Sequence, residues 1–244
     1  MTVNRSRRLI SVSALGGALI LLTILAAGPL QHVDIHGHEH WSRMLPPQAQ
    51  HILQNVLDPI AGQAVCLPVL VTVAVVIAYR RRSWRPIICA AAAEAAFYLG
   101  VGGFKVLLAR PAPTERDAEF FAGGLLKDGW HGISYPSGHA AEAVLVYGTA
   151  VYLIARYTGA SRTLVRLLAA GVGLIALNAV VVSYILGWHW ASDLFAGLLT
   201  GGLLLRLLVW WDTDAIARER AERELAVERP LVPAGYERTE KLAA

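Results

Sequence analysis

Residues Leu164–Asp193 read LVRLLAAGVGLIALNAVVVSYILGWHWASD. From Leu164 to Leu186 the run carries one charge, Arg166, close to its start. It is long enough to cross the ~30 Å hydrocarbon layer as a helix, which takes about 20 residues. Gly187 then turns the chain, and a second apolar run from 190 to 210 carries only Asp193 and Arg206 as charges. Two such runs joined by a tight turn read as a membrane hairpin rather than as part of a soluble core. Runs at 9–29, 60–79, 87–108 and 138–157 bring the expected number of spans to six. The composition agrees, with 55% hydrophobic residues and a mean hydropathy of +0.47. The expected fold is an all-α integral membrane bundle of six transmembrane helices, with a small outer cap made by the loops at 31–58 and 109–137.

Charge placement orients this bundle. Arg5, Arg7 and Arg8 precede the first run, Arg80–Arg82 and Arg85 join the second to the third, and Arg156, Arg162 and Arg166 flank the turn between the fourth and fifth. Basic residues mark cytoplasmic loops, so both termini are expected in the cytoplasm, and the loops at 31–58 and 109–137 and the turn at Gly187 outside. A multi-pass plasma-membrane protein results. The first run exceeds a signal-peptide core and reads as an uncleaved anchor, with cleavage near Ala26-Ala27-Gly28 as the alternative. A net charge of +4 and a pI near 9.3 come from short clusters between apolar runs. That pattern does not suggest a nucleic-acid partner.

The chain divides at its last span. Residues 1–211 form the membrane domain, and 212–244 a cytoplasmic tail. In that tail Arg218, Glu219, Arg220, Glu222, Arg223 and Glu224 alternate in sign as on a solvated helix, and Pro230 and Pro233 end the helix before a disordered remainder. No internal repeat is evident. Cys66 and Cys89 fall near opposite ends of successive spans, and no disulfide between them is expected.

Three segments carry unusual chemistry: Phe104-Lys105 through Pro113, Tyr135-Pro136-Ser137-Gly138-His139, and Gly187 through Asp193. In the six-span topology each reaches the outer end of a helix, and ionisable groups at membrane depth are costly enough to suggest function. His189 and Asp193 stand four apart at a helix start, where a carboxylate can fix an imidazole tautomer and stabilise its charged form. That suits a nucleophilic histidine. Ser137 is an N-cap candidate, and Gly138 lets backbone N–H groups approach an anion. His139 at this mouth can donate a proton to a leaving oxygen.

Together these residues resemble the type 2 phosphatidic acid phosphatase and haloperoxidase superfamily. Its members share a Lys/Arg-Pro motif, a Pro-Ser-Gly-His motif, and a third motif ending in His, three residues and Asp. The resemblance runs from Lys105 to Asp193. It implies that His189 is transiently phosphorylated, that Asp193 supports it, that His139 protonates the leaving group, and that Lys105, Ser137 and Gly138 bind the phosphoryl oxygens. It implies neither metal nor cofactor. Two motif arginines are missing: counting from Lys105 puts Ala112-Pro113 where Arg-Pro should stand, and counting back from His189 puts Ser183 at the other arginine. Arg110-Pro111 lies two positions early, and Arg110 is the expected substitute contact to substrate.

The implied activity is outward-facing hydrolysis of a lipid phosphate or diphosphate: a polyprenyl diphosphate, phosphatidylglycerol phosphate or phosphatidate. The alternatives are a catalytically altered lipid-phosphate binding or transport protein, or a lipid-linked phosphotransferase, on the same scaffold. Two further features stay open. The stretch His32-Val33-Asp34-Ile35-His36-Gly37-His38-Glu39-His40 reads as a polar interfacial loop, with a cation site as the alternative. Glu94 shares a face with Lys105, and Glu142 follows His139 by one turn; both read as structural hydrogen-bond partners or as liners of the substrate entrance.

Overall fold

A computed structural model describes residues 2–37 and 44–228. His38, Glu39 and His40 of the histidine-rich stretch, and Pro230, Pro233 and the remainder of the tail, lie outside the described residues. The all-α membrane bundle is what the structure has. Among the described residues five helices are long and apolar enough to cross a membrane, and six if the bent pair at the N-terminus makes one span.

That bent pair is α1 (Thr2–Ala26) and α2 (Pro29–Gly37). The axes of Ser11–Ala26 and Pro29–Gly37 differ by 73°. Gly28 and Pro29 occupy the break, and proline is suited to a first helical position because it has no N–H to leave unpaired. The segment expected to be a loop from 31 is therefore helical to Gly37. Its helical spacing shows in His32 and His36, whose rings stack 3.8 Å apart. More helix follows in α3 (Pro47–Ile52), which runs into a π-helical turn at Leu53–Leu57. Polar content hid these helices: Asp34 of α2 is buried, and Gln50 of α3 bonds to the Leu45 carbonyl at 3.1 Å.

The span α4 (Gln63–Arg81) is followed by a tight turn with Arg82 in the left-handed region at φ 48°. Next comes α5 (Arg85–Ala96), continued through a π-helical turn at Phe97–Gly102 into α6 (Gly103–Leu108). Such an insertion rotates the helix face and often accompanies function. The segment between α6 and α8 holds only short pieces, a 3₁₀ turn at Pro113–Glu115, α7 (Leu125–Asp128) and a 3₁₀ turn at Gly129–Gly132. The long helices α8 (Gly138–Tyr157) and α9 (Arg162–Ile185) start on serine N-caps, Ser137 accepting from the Ala140 N–H and Ser161 from the Leu164 N–H. The last helix is α10 (Ala191–Glu228). The chain falls into two compact units, one ending at Val209 and one beginning at Trp210.

α8 is the central helix, packed on α4, α5 and α9. Ala140, Ala141, Ala143, Leu145, Val146 and Leu153 are fully buried along it. Cys66 and Cys89 are buried in the same core. Small residues let α10 close on α8. A Cβ at Gly197 would meet the Ser137 carbonyl oxygen at 2.5 Å and Ala140 Cβ at 2.9 Å, and one at Gly201 the Ala141 carbonyl oxygen at 2.6 Å. With glycines four apart facing α8, backbones approach as membrane helices commonly do. Asp193, one turn before Gly197, is carried onto the start of α8.

Candidate active site

The start of α8 and the start of α10 are joined directly: the Ser137 N–H donates to the Asp193 carbonyl oxygen at 2.9 Å. The loop before α8 is held in turn by α6. Lys105 Nζ donates to the carbonyls of Ile133 and Ser134 at 2.8 and 3.0 Å. An ammonium has three protons, so one remains for a ligand. Beside these residues lies a cavity of about 750 Å³. Lys105, Gly138, His139 and His189 line it, which brings four expected site residues to one space. A Cβ on Gly138 would meet nothing closer than 3.9 Å, so protein packing alone does not demand glycine there. Phe97, Tyr98, Val101, Val106, Leu125 and Trp130 give the cavity an apolar wall.

Each histidine has a carboxylate behind it. His189 Nδ1 lies 3.5 Å from Asp193 Oδ2, near the limit for a hydrogen bond, and that nitrogen is buried with no other partner among the described residues. His189 falls between α9 and α10. Burial holds its imidazole below the ordinary histidine value, Asp193 pulling the other way and nearby Lys105 adding to the depression. His139 Nε2 lies 3.2 Å from Asp58 Oδ2. Asp58 is a site residue that the motifs did not reveal. It stands in the turn before α4, anchored by Asn178 Nδ2 donating to the Leu57 carbonyl at 2.8 Å and by the Tyr147 hydroxyl donating to the Ile60 carbonyl at 2.5 Å. The available signal was an acidic residue immediately before an apolar run, which at membrane depth calls for a partner.

Ser137 and Arg110 have other roles from those expected. The Ser137 side chain is fully buried and caps α8 rather than lining the cavity. Arg110, expected to contact substrate, is fully buried and does not line the cavity either. Its donors are engaged: Nε with the Ala118 carbonyl at 3.0 Å, Nη1 with Ser192 Oγ at 2.7 Å and Asp193 Oδ1 at 2.6 Å, Nη2 with Asp34 Oδ2 at 2.8 Å. The rings of Phe120 and Trp190 flank the guanidinium at 5.0 and 5.7 Å. Four of five guanidinium protons are thus committed to protein acceptors. The physical reason is direction. Ala109 takes a left-handed conformation at φ 41° that ends α6, so Arg110 departs from the helix course and turns inward behind Asp193.

The positions where the resemblance expects arginine carry no charge. Ala112 lines the cavity, its N–H donating to the His131 carbonyl at 2.6 Å. Ser183 is fully buried, its hydroxyl without a partner among the described residues. His131 and Thr114 line the cavity beside Ala112, a pair no motif revealed, with Thr114 Oγ1 and His131 Nδ1 3.4 Å apart. Glu142 also lines the cavity. Glu94 accepts from Gln63 Nε2 at 3.1 Å, and Gln63 in turn accepts from the Tyr98 hydroxyl at 2.7 Å. Among the described residues no three His, Cys, Asp or Glu side chains are grouped to hold a metal ion.

Comparison with known proteins follows the same line. One solved structure with this fold is a transmembrane PAP2-type phosphatidylglycerolphosphate phosphatase from Bacillus subtilis. It matches with a TM-score of 0.68 at 18% identity, over 83% of this chain and 96% of that one. No curated protein sequence gives a significant match. The sequence model of the PAP2 superfamily matches residues 86–217, more than half of the chain and all of the Lys105, His139, His189 and Asp193 constellation. The chain belongs to the PAP2 superfamily.

Proposed function

We propose that this protein is a membrane-embedded phosphatase that hydrolyses a lipid phosphate or diphosphate through a phosphohistidine on His189. The observation that carries the reading is a cavity with two chemistries. Lys105, His139 and His189 line it together with His131 and Glu142, and so do apolar side chains such as Phe97, Val101, Leu125 and Trp130. A phosphorylated headgroup fits the first and an acyl or prenyl tail the second.

With His189 Nδ1 turned to Asp193, Nε2 is the nitrogen for attack on phosphorus, and burial keeps the ring neutral at physiological pH. The N–P bond forms as the P–O bond to the lipid breaks, and protonated His139 gives its proton to the departing oxygen. Asp58 stabilises that protonated state and fixes the ring. Lys105 and the backbone N–H groups at the start of α8 oppose charge on the equatorial oxygens. Water then attacks the phosphohistidine, neutral His139 takes its proton, and inorganic phosphate leaves with His189 regenerated. The arginine clusters at the opposite helix ends support a site facing outward from the plasma membrane, with both termini in the cytoplasm.

The test is phosphate release by purified protein from a panel of polyprenyl diphosphate, phosphatidylglycerol phosphate and phosphatidate in mixed micelles, with His189→Ala in parallel. Release by the parent protein and none by the variant supports the reading. Equal release by both removes the proposed nucleophile. A second reading, a lipid-phosphate binding or transport protein, is favoured by one observation: neither Ala112 nor Ser183 supplies the family's cation, and Arg110 is turned away. Saturable binding of these lipids with no phosphate release would select it. Transfer of the phosphoryl group to an acceptor other than water would select the phosphotransferase.

A further inference from the structure

We infer that Asp34, on α2, is a positioning residue of this active site: through Arg110 and Ser192 it sets Asp193 against His189 and preserves the negative charge that Asp193 offers to that imidazole. This rests on the proposed role of His189. Asp34 lies outside residues 86–217, which the superfamily model matches, and none of the three motifs includes it.

Three contacts made by its buried carboxylate carry the inference. Asp34 Oδ2 accepts from Arg110 Nη2 at 2.8 Å and from Ser192 Oγ at 2.5 Å, and Oδ1 accepts from the Ser192 N–H at 3.2 Å. The last of these satisfies one of the backbone donors that a helix start leaves unpaired. Asp34 therefore caps the first turn of α10, the turn that carries Asp193. The same guanidinium joins Asp34 to Asp193, Nη1 reaching Asp193 Oδ1 at 2.6 Å, with the side chains at 0%, 3% and 0% exposure for Arg110, Asp34 and Asp193. Asp193 Oδ2 is left for the Trp190 N–H at 3.2 Å and for His189 Nδ1 at 3.5 Å.

Charge makes this more than a brace. Arg110 alone with Asp193 would be a neutral pair, and a neutral pair does little for an imidazole that becomes cationic as its Nε2 bonds to phosphorus. Two carboxylates sharing one guanidinium carry a net charge of −1, and charge in a dry site is weakly screened. Besides Asp193, the charged or titratable groups that act on His189 are Lys105 from α6 and His139 from α8, neither of which can supply negative charge; Glu142 and His131 line the same cavity but are not among the groups that shift its imidazole. The balance at His189 thus depends on a residue from the N-terminal segment.

The test uses the full chain in detergent micelles, comparing Asp34→Asn and Asp34→Glu with the parent protein. His189 titration is followed by histidine-selective ¹⁵N NMR, and kcat and KM by phosphate release. Asp34→Asn removes charge and should lower the pH at which His189 titrates, while reducing kcat at least about tenfold, the scale of losing one preorganised electrostatic element, with KM within about twofold. Asp34→Glu should leave the titration near that of the parent and recover part of kcat. An unmoved titration in a folded Asp34→Asn protein, or a raised KM with kcat intact, would overturn the inference. The titration reads the charge coupling even if no panel lipid is hydrolysed, so failure of the enzyme reading and failure of this one are distinguishable. Should Asp34→Asn not fold, Ser192→Ala removes the hydroxyl's two contacts, with Arg110 and with Asp34, and no charge. It should lower kcat a few-fold with the His189 titration unmoved, and unchanged kcat in that variant would equally refute the positioning role.

Discussion

Arg110→Ala separates a substrate clamp from a buried strut. Loss of a clamp would raise KM or lower turnover and leave the fold intact. The structure leads elsewhere. The substitution deletes four donors to protein acceptors and leaves Asp34 and Asp193 buried without their shared cation. Removing one member of a buried ion pair costs about 3–5 kcal/mol, chiefly because the remaining charge is uncompensated. At roughly 2–4 °C per kcal/mol for a domain of this size, the unfolding midpoint should fall by about 6–20 °C. The buried thiols of Cys66 and Cys89 give the assay: a thiol-reactive fluorophore reports their exposure during a thermal ramp in detergent. Phosphate release measured well below the midpoint should fall by about 10²–10⁴, the range for a misplaced acid–base pair, because Asp193 no longer sits against His189. Arg110→Lys keeps the charge but cannot reproduce the fork, and should recover only part of both quantities. Ala112→Arg, whose side chain would enter the cavity, should not rescue Arg110→Ala. An unchanged midpoint together with a raised KM would refute the strut and return Arg110 to the substrate.

The other predictions concern the two histidines. His189→Ala should abolish release, and acid-labile phosphate should be trappable on His189 of the parent protein during turnover. Asp58→Asn should slow release about tenfold, and Gly62→Ala should also slow it, since its new Cβ would lie 3.0 Å from His139 Nε2; equal rates in both would remove Asp58 from the mechanism. The acid limb of kcat/KM reports protonation of free His189, whose value is lowered by burial, so activity should persist as pH falls through about 6.5, the ordinary histidine value, and be lost only below it. A limb at or above that value contradicts the buried neutral nucleophile. EDTA should leave phosphate release unchanged, and a loss restored by a divalent ion would instead promote the His32–His40 stretch.

The spans were legible because a bilayer imposes one long apolar run per crossing, and 138–157 and 164–186 anticipate α8 and α9 closely. Lys105, His139, His189 and Asp193 were legible because helix ends bring them to one depth, and spacing four apart puts His189 beside Asp193. Helices α2 and α3 were not, since short helices rich in polar residues lack the apolar periodicity that marks a span. Nor was Asp58, whose partner His139 is remote in sequence.

Arg110 shows where the division falls. Its sequence position, two residues from the motif register, states that a cation is near the site but not which way it points. One backbone angle at Ala109 and the close approach of α10 to α8 across Gly197 turn its guanidinium inward, between Asp34 and Asp193. By itself the sequence determined a helical membrane bundle with two histidines and an aspartate at one end, because those follow from local length, polarity and spacing. Only the tertiary structure decided which carboxylate serves which histidine and whether an arginine meets substrate or protein. Those are contacts between segments up to 158 residues apart, as Asp34 and Ser192 are, and packing alone sets them.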